Sequence, residues 1–325
     1  MQSRIFKDKL GLIIRAALSI ALIGGLAYHI GSREILTELG LVQWPVLVIV
    51  VPVLAAHVMI VTPRWTIILA ALGHRIKTSL LVGSVFLGFL FNQLLPTAVG
   101  GDVVRALRAR QLGVPTEVAI HSVLLDRAAG LFVVLIGAIG LLPFANPVMV
   151  RSGLPGLAGF IVAAGLGAGV GLWALGRLER SRIRVIGAVQ RAASALNAST
   201  GSLVRRPWAL IGVLLLSVVG QLIPVVVIGL LAAALSVQLS VVDLTLVSFC
   251  ATLAAAIPIS FAGWGIREGA LIFLFGIYGV PPDTAFAISI LFGACLAVAS
   301  APGALLLFGS HPNANLKPVA NSSDR

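Results

Sequence analysis

Two apolar runs in this chain are each interrupted by proline, glycine and charge, and the interruptions repeat. The first is Asn92 to Arg110 (NQLLPTAVGGDVVRALRAR) and the second is Ile257 to Gly269 (IPISFAGWGIREG). Pro96, Gly101 and Arg105 recur as Pro258, Gly263 and Arg267, each displaced by 162 positions. Both breaks then lead to Gly-Val-Pro and an acid, first as Gly113, Val114, Pro115 and Glu117, then as Gly279, Val280, Pro281 and Asp283, with four extra residues in the second copy. Ordered punctuation of this kind marks an internal repeat. Non-helical backbone at membrane depth is tolerated only inside protein or along a cavity, so the two breaks constrain every other assignment.

The bilayer setting follows from composition. With 59% hydrophobic residues, 10% charged residues and a mean hydropathy of +1.08, the chain has too little polar surface to cover a soluble globule of its size. The apolar runs have the length of membrane-spanning helices and lack the short alternation of a barrel, which predicts an all-α polytopic membrane protein. The net charge of +12 is then read as topology and contact with anionic lipid rather than as a nucleic-acid surface. Cys250 and Cys295 lie in apolar runs without a CxxC or a nearby His, so they are expected to pack, not to form a disulfide or hold a metal.

Charge placement orients the spans. Arg4, Lys7 and Lys9 precede a run to about Ile30, which predicts a cytoplasmic N-terminus and an uncleaved first helix. A second span, about Trp44 to Val61, returns to Arg64, His74, Arg75 and Lys77, with Trp44 and Trp65 in the interfacial belts. If Thr78 to Leu95 crossed fully, Arg105, Arg108 and Arg110 would fall outside; a hairpin turning back at Pro96 to Gly101 keeps them in the cytoplasm. Val118 to Leu142 and Gly153 to Leu175 cross next, the latter with Gly167 and Gly171 in GxxxG spacing. The loop Gly176 to Trp208 carries seven Arg against Glu179 and is assigned to the cytoplasm. Within it Ile183, Ile186, Val189, Ala193 and Leu196 suit either a helix lying on an anionic leaflet or a solvated connector.

Ala209 to Leu235 crosses outward, Val241 to Phe261 enters to the second break, and Thr284 to Phe308 crosses inward to a polar tail expected to be disordered, residues 311–325. The sum is six full spans and two re-entrant hairpins in one domain, residues 1–310. Its halves, about 1–146 and 147–310, each make three crossings, and an odd number turns the second half upside down. Inverted-topology repeats with broken helices are a transporter arrangement.

Ionisable groups at membrane depth mark the candidate site: Asp102 and Arg105 in the first break, Asp126 and Arg127 in the following run, Arg267 and Glu268 in the second break. Asp126 and Arg127 point about 100° apart on a helix, so Arg127 is expected to pair with Asp102, and Asp126 with Arg105 or Arg267. These are structural ion pairs, or else some of the Arg remain available for a phosphate headgroup, which a guanidinium grips with two donors. The helix starts at Gly100, Gly101 and Gly265 could add backbone donors, although Asp102 could cap the first itself; Trp264 stands in the second copy instead. Asn92 and Gln93 satisfy freed backbone groups or touch substrate; His57 and His121 relay protons or bond a neighbouring helix. No Walker A, HExxH or GxSxG sequence and no metal-ligand cluster occurs, so catalytic, metal and cofactor assignments are none.

The segments LLPTAVGGDVVRALRAR, LLDRAAG and ISFAGWGIREGAL, in that order, resemble the lysylphosphatidylglycerol synthase transmembrane region family, the flippase-like domain of multiple-peptide-resistance-factor proteins. The resemblance falls on Pro96, Gly100, Gly101, Asp102, Arg105, Asp126, Arg127, Gly263, Gly265, Arg267 and Glu268. It implies movement of aminoacylated phospholipid between leaflets in fused proteins, whose separate soluble domain makes that lipid; no synthase domain is expected here. Stand-alone relatives imply anionic phospholipid, glycolipid or hopanoid-type lipids as partners, possibly with a separate lipid-modifying enzyme. The expected function is therefore a lipid transporter of the cytoplasmic membrane, with a membrane scaffold or an embedded transferase as alternatives. Single cysteines introduced between Gly176 and Trp208 are expected to resist an impermeant thiol reagent applied from outside, and those between Gly279 and Asp283 to react; labelling of the Arg-rich loop would reverse the topology.

Overall fold

A computed structural model describes residues 25, 37–40, 44–94, 100–152, 184–256 and 265–309. Among these, every regular element is helical: α1 (Trp44–Ala71), α2 (Thr78–Leu94), α3 (Gly100–Gln111), α4 (Thr116–Leu141), a 3-10 turn at Leu142–Phe144, α5 (Pro147–Arg151), α6 (Arg184–Val204), α7 (Pro207–Ala234), α8 (Val241–Ala255), α9 (Ile266–Ile277), α10 (Pro282–Ser300) and α11 (Pro302–Gly309). Among the described residues, four stretches are long and apolar enough to cross a bilayer: α1, α4 with its 3-10 extension, α7, and α10 continued to Leu305. The further spans expected up to Ile30 and over Gly153 to Leu175, both termini, the tail, and Pro96, Pro258, Gly263 and Trp264 lie outside the described residues.

The apolar helices beside the two breaks are shorter. α2 has 17 residues and α8 has 15, giving about 26 and 22 Å of rise against a hydrocarbon core of roughly 30 Å. Each folds against the 12-residue helix that follows its break. In the first pair, Gly88 abuts Arg105, and the Gly101 N–H donates a 2.8 Å hydrogen bond to Asn92 Oδ1. The chain that runs through 88 and 92 therefore returns through 101 and 105, an antiparallel hairpin. In the second pair, Tyr278 at the end of α9 donates a 2.9 Å hydrogen bond to Asp243 in the first turn of α8, so this hairpin is antiparallel as well.

Both hairpins end in the same glycine-dependent motif. Gly113 and Gly279 take φ of +90° and +77°, values open to glycine without steric cost. Their N–H groups bond Arg110 O and Gly276 O, while Val114 and Val280 reach back to Ala109 O and Phe275 O, closing the last helical turn from both sides. Pro115 and Pro281, at φ of −55° and −58°, then open α4 and α10. The repeat read from Gly-Val-Pro is thus a repeat of helix, break, helix, turn and helix.

The two closures lie far apart. The Gly113 turn immediately precedes α4, whereas the Asp243–Tyr278 contact also takes the N–H of Asn146, just past the other end of α4. The hairpins consequently open at opposite ends of a helix about 39 Å long.

Two expectations about α1 are corrected. The helix does not stop near Val61 but continues through Pro63 to Ala71, as proline allows in membrane helices when neighbours re-satisfy the backbone. Trp65 is accordingly not at an interface: it is fully buried and donates its indole N–H to Ser122 Oγ at 3.0 Å. Trp44 remains 73% exposed at the start of α1. The final carbonyls of α1 are capped by Arg206, whose Nη1 donates to Ala70 O at 2.9 Å. The second half of α6 rests on the bundle through Leu196 and Leu203, beside Ile68, Leu125 and Val213. Cys250 and Cys295 are free and packed in the main apolar core.

The first hairpin depends on two glycines facing each other. A Cβ on Gly101 would fall 1.9 Å from Gly88 O, and backbone cannot yield as a flexible side chain can. Gly101→Ala is expected to cost at least about 1–3 kcal/mol and lower the melting temperature of the detergent-solubilised protein. Gly140→Ala, with nothing within 4 Å of the added methyl, is expected to hold or raise it.

Candidate functional site

The polar centre is built around Asp126, in the interior of α4. Its Oδ1 accepts from Arg64 Nε at 2.6 Å and its Oδ2 from Arg105 Nη2 at 2.9 Å, so α1 and α3 are both tied to α4 through one carboxylate. All three residues are less than 9% exposed. Arg64 Nη1 also donates to Ser217 Oγ on α7 at 3.2 Å, and Ser217 donates onward to Val213 O. Arg105 lies over the Trp65 ring, 4.4 Å from its centroid, and approaches Asp102 at 3.7 Å. Asp102 in turn accepts from Arg127 Nε at 2.7 Å, and the Arg127 side chain is 43% exposed. Three guanidinium groups and two carboxylates form one chain across three helices, and Ser217 joins it to a fourth.

A second ionic group sits at the start of α9. Glu268 is fully buried; its Oε1 accepts from Arg267 Nε at 3.0 Å and from Ser289 Oγ at 3.2 Å, and its Oε2 accepts from the Gly265 N–H at 2.5 Å. Arg267 also faces the Phe292 ring, 5.3 Å from its centroid. Neighbours in sequence can pair here because the helix is only beginning at Gly265, whose φ of +93° turns the chain into it.

Both groups border one cavity of about 310 Å³. Asn92, Gln93, Asp102, Arg105 and Arg127 approach it from the first half, and Ala255, Ala256 and Arg267 from the second, so residues flanking both breaks share a wall. His57, Gln221, Ser248 and Thr252 complete its polar lining, and Ile228, Leu271, Phe292 and Leu296 are among its apolar residues. Arg64, Arg105, Arg127 and Arg267 against Asp102, Asp126 and Glu268 leave the described site with one excess positive charge. That balance favours an anion, and charges as buried as those of Arg64, Arg105 and Asp126 are screened less than surface charges.

The pairs expected from sequence, Arg127 with Asp102 and Arg105 with Asp126, are both present. Asn92 takes the backbone-satisfying role through Gly101, and His121 meets Ser199 Oγ at 3.2 Å on α6. Three expectations are corrected. Arg105 and Arg267 do not occupy equivalent places: counted from the shared Gly-Val, Asp102 and Glu268 each stand eleven positions before the glycine, and Arg105 matches Leu271. Glu268 does not line the cavity; it is enclosed by its own helix start. The capping roles are exchanged as well, since Asp102 is taken up by arginines while Glu268 holds the backbone of Gly265, consuming the donor expected to face an anion.

Arg64 was missed because it follows Pro63 and looks like the end of a span. The signal was present: the run from Trp65 to Leu72 is apolar again, too long to be a headgroup-level flank. Gln221, Ser248 and Thr252 carry no sequence mark that separates them from ordinary polar residues of membrane helices.

A bundle in which four described helices are long and apolar enough to cross a membrane, lining an arginine-rich cavity, defines a multi-pass membrane protein. Residues 12–303 match the family described as Lysylphosphatidylglycerol synthase TM region, and the chain belongs to that family. No curated protein matches the chain.

Removing the shared carboxylate should expose its structural share. Asp126→Asn leaves Arg64 and Arg105 buried without their counter-ion and is expected to destabilise the protein by about 3–5 kcal/mol. A melting temperature equal to that of the parent chain would show that Asp126 does not hold α1 and α3 to α4.

Proposed function

We propose that this protein moves a lipid with an anionic or glycosylated headgroup across the cytoplasmic membrane, with both termini in the cytoplasm. In this reading the hairpins are re-entrant and belong to inverted-topology repeats, and the headgroup occupies the cavity between their tips. The observation that carries it is the composition of that cavity wall: arginines from both halves of the repeat, in excess over their carboxylates, beside apolar residues that suit the start of an acyl chain. The family supports a membrane-lipid role, and the openings of the two hairpins at opposite ends of α4 suit access from either side.

The accessory or scaffold reading has its own support, because both oxygens of Asp126 are taken by Arg64 and Arg105, an arrangement that can serve as a fastener alone. The two readings separate at Arg127, whose side chain is accessible. Reconstituted protein should render a fluorescent phosphatidylglycerol analogue accessible from the opposite leaflet. Arg127→Ala removes the 2.7 Å contact to buried Asp102 and is expected to lower the melting temperature modestly, while the protein that stays folded loses about ten- to a hundredfold in that rate, with Arg127→Lys recovering part, since lysine lacks the planar fork. Liposomes in which the parent protein moves no lipid would leave the scaffold reading standing.

A further inference from the structure

We propose that the α8–α9 hairpin is a lever, with Asp243 as its releasable end and Phe249 on Gly137 as its pivot, whose rocking against α4 opens the cavity to one membrane face and then to the other. This rests on the proposed lipid-transport reading and gives it a moving part. Two contacts show α4 and α8 running antiparallel. At the first, Asp243 Oδ1 accepts from the Asn146 N–H at 3.0 Å, just past the end of α4, and from Tyr278 Oη at 2.9 Å, while Oδ2 accepts from Ser240 Oγ at 2.7 Å. One carboxylate thus latches the end of α4 to both arms of the hairpin. Six residues further along α8, about 9 Å, Phe249 lies so close to Gly137 that a methyl added there would fall 2.6 Å from the ring's Cε2. Beyond that contact α8 presents Thr252, Ala255 and Ala256 to the cavity, and α4 presents Arg127, Gly130 and Leu131. The pivot therefore stands between the latch and the cavity.

Both joints suit motion. Packed helices resist rotation where ridges of side chains sit in grooves, but a flat ring on a glycine meets no ridge and can turn in place. At the latch, Asn146 is exposed and Tyr278 half-buried, so water reaches both donors and can take the place of the carboxylate when they part. The first hairpin is held differently, by Asp102 with Arg127 and Asp126 with Arg105, and separation there would leave buried charge unpaired. The second hairpin is the easier to rock. The first does not repeat the latch either: counted from the shared Gly-Val, Asp243 and Tyr278 correspond to Lys77 and Leu112, which cannot form it. The arms of a lever move oppositely. As the Asp243 end swings away from α4, the arm from Thr252 to Ala256 swings towards Arg127, so opening at the latched end narrows the cavity beyond the pivot.

The test uses the full-length chain with Cys250 and Cys295 replaced by alanine and carrying Val148→Cys and Val241→Cys, two exposed positions beside the latch. In nanodiscs, spin labels on this pair are expected to report mainly a short distance. Tyr278→Phe should raise the ratio of long to short distances by about ten- to a hundredfold, the worth of one hydrogen bond to a charged group. Asp243→Ala, which removes all three acceptor contacts, should raise it further. Folded variants with the same distance distribution as their parent overturn the lever; should Asp243→Ala fail to fold, Tyr278→Phe decides. In liposomes, a cleavable bismaleimide across the two cysteines should stop movement of the fluorescent phosphatidylglycerol analogue, and cleaving it should restore that movement, a recovery that a fastener alone would not show. Transport at full rate while cross-linked overturns the lever and leaves the transport reading intact. If the parent chain moves no lipid, the transport reading falls, and the distance distributions still decide whether the hairpin rocks.

Discussion

A single carboxylate, that of Asp126, holds guanidinium groups from two other helices where little water can replace either partner. Charges removed from water are costly unless paired and fully hydrogen-bonded, so the position of one partner fixes that of the others. Arg64 brings α1 to this point, Arg105 brings the hairpin of α2 and α3, and Ser217 brings α7. Apolar packing alone gives helices in a bilayer little positional preference, because lipid tails are as apolar as leucine. The ionic chain supplies the register that the apolar surfaces do not.

The two halves use one backbone design and different fastenings. In the first, Asp102 reaches across to Arg127 on α4, and close glycine contact presses α2 onto α3. In the second, the equivalent acid, Glu268, folds back onto its own helix start, and the hairpin is held by Leu271, Leu274 and Phe275, which are almost completely buried. The first hairpin is tied to α4 by charge, while the second relies on apolar packing and on the Tyr278–Asp243 hydrogen bond. Cutting a salt bridge therefore loosens only the first directly.

What could be read in the sequence was whatever the backbone or the bilayer forces on residue choice. Positive φ at Gly113 and Gly279, the proline starts of α4 and α10, and the rarity of charge at membrane depth each leave a visible mark, and they located the repeat, the hairpins and two of the ion pairs. Arg64 was hidden because a proline beside a charge usually ends a span, and here neighbouring helices carried the chain past it. The exchange of roles between Asp102 and Glu268 was hidden for another reason: four inserted residues shift the second motif, so matching the arginines mismatches the acids. Gln221, Ser248 and Thr252 acquire meaning only from the cavity that brings them together.

On the proposed lipid-transport reading, four guanidinium groups against three carboxylates among the described residues would also set how the site responds to the membrane voltage. A phosphodiester headgroup would bring one negative charge, so these charges would sum to zero in the filled cavity and leave a unit of positive charge in the empty one. Work done by the potential is about 2.3 kcal/mol per charge per 100 mV for full displacement, and it vanishes for a neutral assembly. Any rearrangement that carried these side chains across the field would thus be electrically silent when loaded and voltage-sensitive on the unloaded return.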